Sequence, residues 1–200
     1  MADKETSRVE AFSDGVFAIA ITLLILEIRV PHLPPEAGSG ALAAALRALW
    51  PSFVAFVASF GAILTMWINH HEFFRFLHRV DRPFLYSNGF LLLLVTFVPF
   101  PTALVAAYLD RPGAEAAMAF YCGTYVLINV AYNLLWYTGA RERRLVRDGV
   151  PEKALRRIRN SYLMAFPIYL GATLVSFWSP LAGFALCTGL WVFWALLRYA

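Results

Sequence analysis

The chain has 200 residues, of which 60% are hydrophobic, 16% aromatic and only 15% charged, with net charge +4 and mean hydropathy +0.61. Soluble domains average about 45–50% apolar and about 25% charged residues, so this composition excludes an ordinary soluble domain, and it equally excludes a disordered, collagen-like or disulfide-stapled chain. The basic balance does not describe a nucleic-acid-binding domain, because Lys and Arg fill the gaps between apolar runs instead of clustering on a polar surface.

A bilayer is spanned by roughly 20 apolar residues in a helix. Six windows of that kind follow one another. The first runs from Val9 to Ile28 and is ended by Pro31, Pro34 and Pro35. It carries Asp14 and lacks a small-residue cleavage site before Pro31, so it reads as a retained span and not as a signal peptide. The second covers Ala44 to Ile68. The third covers Pro83 to Tyr108, through Pro99 and Pro101. The fourth runs from Ala114 to Thr138, the fifth from Asn160 to Phe177 across Pro167, and the sixth from Leu181 to Leu197. The runs are continuous and not alternating, which excludes a strand barrel. The expectation is a single all-α, polytopic membrane domain over residues 1–200.

All but three of the 17 Lys and Arg (Arg29, Arg47 and Arg111) fall in the tails and in the second and fourth loops. The positive-inside rule then places both termini in the cytoplasm and makes 139–159 a basic cytoplasmic loop that anchors topology and touches anionic headgroups.

Ionisable and strongly polar groups at membrane depth are candidates for function. Ser13 and Asp14 lie early in span one, with Arg8 and Phe12 just before them. Trp67, Asn69, His70 and His71 end span two, and Ser87 and Asn88 begin span three. The orientation puts these three stretches at one end of the bundle. Asp14 is therefore expected to find donors in Arg8, Trp67, an imidazole (His70 or His71) and Asn88. At about 100° per residue, Ile19, Leu23 and Leu26 share one stripe with Thr22 at its edge, whereas Asp14 points about 140° away from Ile19. The polar side is expected to pack against the chain's own spans two and three. The apolar stripe is left for lipid, a second subunit or a narrow axis.

The run Arg8-x-x-x-Phe12-Ser13-Asp14, with the apolar helix that follows it, resembles the signature first helix of transmembrane protein 175, a family of bacterial and lysosomal potassium channels. Trp67, His70, His71 and Asn88 fit the same pattern, and the likeness is strongest over residues 8–100. The resemblance implies a homotetramer in the cell (inner) membrane, with the first helices around a central pore. Ile19, Leu23 and Leu26 would form its hydrophobic constriction, with Ile19 the innermost, and Thr22 would offer a hydroxyl to a dehydrated ion. Arg8, Phe12, Ser13, Asp14, Trp67, His70 or His71, and Asn88 would hold the pore helix from behind. Such a pore passes K⁺ passively and prefers it moderately over Na⁺, because no Thr-Val-Gly-Tyr-Gly carbonyl filter is present; Gly123-Thr124-Tyr125 lies inside a helical window.

Glu27, near the outer end of span one, reads either as a cation-attracting ring at the pore mouth or as a partner of Arg29. No cofactor is expected beyond the permeant K⁺. No metal site is expected, since adjacent histidines diverge by about 100° on a helix and His32 and His78 complete no ligand spacing. Cys122 and Cys187 read as small hydrophobes. Asn129 and Asn133, four residues apart in span four, read as interhelical hydrogen-bonders. Hydrolase and phosphate-loop motifs are missing from the sequence, so no enzyme is expected. The competing function is a proton-coupled secondary transporter with Asp14 and His70 or His71 as the relay.

Overall fold

A computed structural model describes residues 2–196, with side chains described for 5–192. Eight α-helices follow in order: α1 (Ala2–Leu23), α2 (Ser39–Ala48), α3 (Trp50–Arg75), α4 (Arg82–Phe97), α5 (Pro99–Tyr108), α6 (Ala114–Ala140), α7 (Glu152–Val175) and α8 (Pro180–Leu196). Among the described residues, four stretches are long and apolar enough to cross a membrane: Glu5–Glu27, Trp50–Arg75, Arg82–Tyr108 and Ala114–Arg143.

Local chemistry explains where these elements depart from the apolar windows. The second window starts at Trp50 and not at Ala44, because Pro51 sits in the first turn of a new helix and residues 39–48 form the separate α2. The third window is two helices, α4 and α5, broken at Pro99, whose ring has no N–H to give to the preceding turn. The basic stretch 139–159 is only partly a loop: α6 runs to Ala140, and α7 already begins at Glu152. The fifth and sixth windows are helical, but Lys153, Arg156, Arg157 and Arg159 occupy the first turns of α7 and shorten its apolar part. The described apolar part of α8 runs over Pro180–Val192. Leu197 and Arg198 lie outside the described residues.

The bundle is built around α6, which packs against α4, α5, α7 and α8, while α1 packs against α3 and α4. Gly139 allows a close approach of α6 to α3 and α4, since a Cβ there would lie 3.0 Å from the rings of Phe73 and Phe84. Asn129 and Asn133 both donate to the Tyr162 carbonyl of α7, at 3.1 and 3.3 Å, and α7 continues through Pro167. Cys122 and Cys187 are buried free thiols. At the end of the bundle that carries the start of α1, the α3–α4 turn is stitched to the α6–α7 connector. The His78 amide donates to the Leu145 carbonyl, the Arg147 amide donates to Phe76, and Arg144 pairs with Asp81.

Candidate functional site: a helix clasped on one side

One edge of α1 is a packing seam. Ser13, Phe17 and Ala20 are buried where α1 packs on α3 and α4, and Leu24, just past its end, is buried where the chain meets α3 and α5. The seam is polar at its first turns. Ser13 is fully buried, and its Oγ accepts from Asn88 Nδ2 at 2.9 Å while donating to the Val9 carbonyl at 2.9 Å. The other end of the Asn88 amide, Oδ1, meets His70 Nε2 at 2.8 Å. Because the Asn88 nitrogen is spent on Ser13, its oxygen faces His70, so the imidazole proton sits on Nε2. The order of donation is therefore His70 to Asn88 to Ser13 to the α1 backbone. His70 Nδ1 is buried without a partner, and the ring lies between Phe17 and Phe74, with centroids at 5.3 and 4.4 Å.

Asp14 stands beside this chain of bonds, half-buried, and accepts from Trp67 Nε1 at 2.8 Å. His71 turns away from His70 and pairs instead with Glu10, Nδ1 to Oε1, at 2.9 Å, with its ring stacked on Trp67. Two helices, α3 and α4, thus grip the middle of α1 through side chains, and the grip sets the rotation of α1 about its own axis.

The geometry divides the sequence candidates. It brings Ser13, His70 and Asn88 into one network and Asp14 and Trp67 into a pair beside it. It separates His71, which joins Glu10, a residue that sequence reasoning missed because a carboxylate near a span end reads as solvated. Arg8 and Phe12 are not in the network: both are exposed and line an open cleft with Leu85 and Leu92 of α4. They lie on the side of α1 away from the seam, where helical rotation puts residues one and five positions before Ser13. Glu27 lies half-buried in a cleft with Arg29 and Arg111 and forms no ion pair among the described residues.

The opposite face of α1 is bare and apolar. Ile19, Leu23 and Leu26 are 58%, 41% and 67% exposed. The α-helix tightens to a 3₁₀ turn over Leu24–Glu27, and in that geometry residues three apart eclipse, so Leu26 stands in line with Leu23. Thr22 is exposed on the same side, and its hydroxyl donates to the Ile19 carbonyl at 2.9 Å, which leaves the oxygen lone pairs outward. A second polar system, also missed from sequence, lies deep in the bundle. Thr102 and Ser59 hydroxyls meet at 2.7 Å, and Ser59, Tyr121 and Tyr125 continue the line at 3.1 Å each. Such hydroxyls look like ordinary helix residues in a one-dimensional reading. Among the described residues no three His, Cys, Asp or Glu side chains come together as metal ligands.

Several long apolar helices, with ionisable groups gathered at one depth, define a polytopic membrane protein of the channel or transporter kind. The comparisons are specific. Residues 8–99 match the model of the endosomal/lysosomal potassium channel TMEM175 family. A potassium channel of Chamaesiphon minutus is 46% identical over 192 residues, covering 96% of this chain and 94% of the relative. The crystal structure of a lysosomal potassium-selective channel TMEM175 homologue from the same organism superposes with TM-score 0.87 at 44% identity, over 96% of this chain and 97% of that one. The endosomal/lysosomal proton channel TMEM175 of Homo sapiens is 34% identical over 138 residues, covering 66% of this chain but 27% of the human protein. The chain belongs to the TMEM175 family, which is a family of membrane ion channels and not of enzymes.

Proposed function

We propose that this chain is one unit of a potassium-selective channel whose units assemble as a homotetramer, with α1 of each unit lining the central path. On this reading Ile19, Leu23 and Leu26 stack as a narrow apolar constriction that closes by dewetting. Ions pass it only when water and ion enter together, and the more easily dehydrated K⁺ passes more readily than Na⁺. Thr22 supplies the nearest hydroxyl. The His70–Asn88–Ser13 network and the Trp67–Asp14 pair keep α1 from rotating, so that the apolar stripe stays aimed at the axis. Six spans, with the apolar parts of α7 and α8 as the fifth and sixth, would put both termini in the cytoplasm of a cell whose inner membrane holds the channel. Glu27 would lie towards the outer mouth.

One observation carries the reading: α1 is bonded through side chains on one face and apolar and exposed on the other, although it is the helix that matches the family's signature. The bacterial relative, which matches this chain over nearly its whole length, is named a potassium channel and supports K⁺ as the ion, whereas the human relative is named a proton channel. A proton-coupled carrier needs Asp14 and a histidine in proton contact. Here Asp14 takes its hydrogen bond from the indole of Trp67, and His70 gives its own to Asn88.

The test is flux through purified protein in liposomes, measured for K⁺, Na⁺ and H⁺ separately. Passive K⁺ flux without a coupled ion is expected. Ile19→Asn is expected to raise the current and lower the preference for K⁺ over Na⁺. K⁺ flux that demands a proton or sodium gradient would replace the channel by the carrier. Unchanged current and selectivity in Ile19→Asn would remove Ile19 from the path.

A further inference from the structure

At the end of the bundle that carries the start of α1, α6 and α7 diverge and leave a cleft of about 420 Å³. Arg141, Arg143, Arg156 and Arg159 line it, opposed by Glu142 and Glu152, so its lining is net positive. The aromatic wall is Trp136 and Tyr137. The Arg159 guanidinium lies 5.8 Å from the Trp136 ring and that of Arg141 lies 4.8 Å from the Tyr137 ring. Trp136 Nε1 is buried there without an acceptor. At the rim, Glu142 and Arg143 both have left-handed backbones (φ 55° and 57°), a conformation that non-glycine residues keep only where the surroundings impose it.

The four arginines are not equivalent. Arg143 is tied to the Val150 carbonyl at 2.9 Å and serves the connector. Among the described carboxylates Arg141 pairs with its neighbour Glu142, Glu152 is shared by Arg143 at 3.5 Å and Arg156 at 3.7 Å, and Arg159 faces none. Exposed pairs of this kind are weak and readily exchanged for a better anion. Arginines on aromatic platforms, presented as planar forks, fit the oxygens of a phosphate ester. The carboxylate oxygens of Glu142 and Glu152 reduce the attraction without cancelling it.

We propose that this α6–α7 cleft binds the phosphate headgroup of an anionic membrane lipid. The same arginines would accept free phosphate, but the surroundings favour a lipid. Tyr137 is about half exposed, and Leu134 one turn before it and Leu163 one turn after Arg159 are exposed apolar residues. A phosphate held in the cleft therefore has a greasy lane along α6 and α7 for its acyl chains. Basic pockets between helices at a membrane surface are suited to such headgroups.

The test is native mass spectrometry of the full chain in detergent. Phosphatidylglycerol, phosphatidylcholine and inorganic phosphate are titrated separately. Wild type is expected to retain phosphatidylglycerol over phosphatidylcholine. Arg141→Gln/Arg156→Gln/Arg159→Gln is expected to weaken that binding about a hundredfold. Glu142→Gln/Glu152→Gln, which removes the opposing charge, is expected to tighten it. Arg29→Gln/Arg47→Gln/Arg111→Gln, with the same charge loss at the other end of the bundle, is expected to leave it unchanged. Equal loss in the two arginine triples would reduce the site to net charge and overturn the proposal. So would retention of lipid by the cleft triple, or occupancy by inorganic phosphate as tight as by phosphatidylglycerol. If the cleft triple fails to fold, the glutamate pair decides alone, and no gain in affinity there overturns the proposal.

Discussion

α1 and α6 are both long apolar helices with polar residues on one side, yet only 22% of the most apolar stretch of α1 is buried, against 61% for α6. α6 is covered by α4, α5, α7 and α8, meets α3 through side chains, and spends its polar groups inside the bundle, on the Tyr162 carbonyl and on the Ser59–Tyr121–Tyr125 line. α1 touches two helices and spends its polar groups on a clasp at one end. Lipid tails are as apolar as leucine, so hydrophobicity alone neither attaches α1 nor covers its free face. What attaches it is directional bonding together with the packing of Phe17 and Ala20, and the stripe on the far side is bare within the unit.

Substitutions can break that contrast. The largest effect is expected from Asn88→Leu, which strands His70 Nε2 in the interior and deprives Ser13 Oγ of its donor; thermal unfolding in detergent should show a loss of about 2 kcal/mol. Gly139→Val tests α6 in the same way, because its side chain meets Phe73 and Phe84; a loss of about 1–3 kcal/mol is expected in the same assay. Trp67→Phe keeps the ring and deletes the donor to Asp14. It should cost about 1 kcal/mol and lower the yield of assembled protein on size exclusion. The smallest change in stability, within about 0.5 kcal/mol, is expected for Ile19→Asn, the variant with the largest expected change in flux. A large loss of stability in Ile19→Asn would mean that the stripe packs inside its own unit, and the distinction between the two helices would fail.

Much of the clasp was legible one residue at a time. The hundred-degree step of a helix separates Asp14 from Ile19, Leu23 and Leu26, and span topology gathers Ser13, Trp67, a histidine and Asn88 at one depth. The choice between His70 and His71 was not legible. Those side chains diverge around α3, and only the rotation of α3 against α1 decides which one meets Asn88 and which one meets Glu10. Arg8 illustrates the same limit, since proximity in sequence to Asp14 suggested a partner and helical rotation carried it to the open side. The division of span three into α4 and α5 was foreshadowed by Pro99. The early start of α7 was hidden, because Lys and Arg read as loop in a count of apolar residues although they form helix readily.

By itself the amino-acid order determined the all-helical membrane class, the places where apolar runs stop, and the two unlike faces of the first helix, because composition and helical period act locally and need no partner. Which histidine enters the clasp, how the arginines of 141–159 gather beside Trp136 and Tyr137, and how deeply Ser59, Thr102 and Tyr121 are buried were decided only by the packing of helices far apart in the chain. Their relative rotations are set by contacts such as Gly139 against Phe73 and Phe84, and no local pattern encodes them.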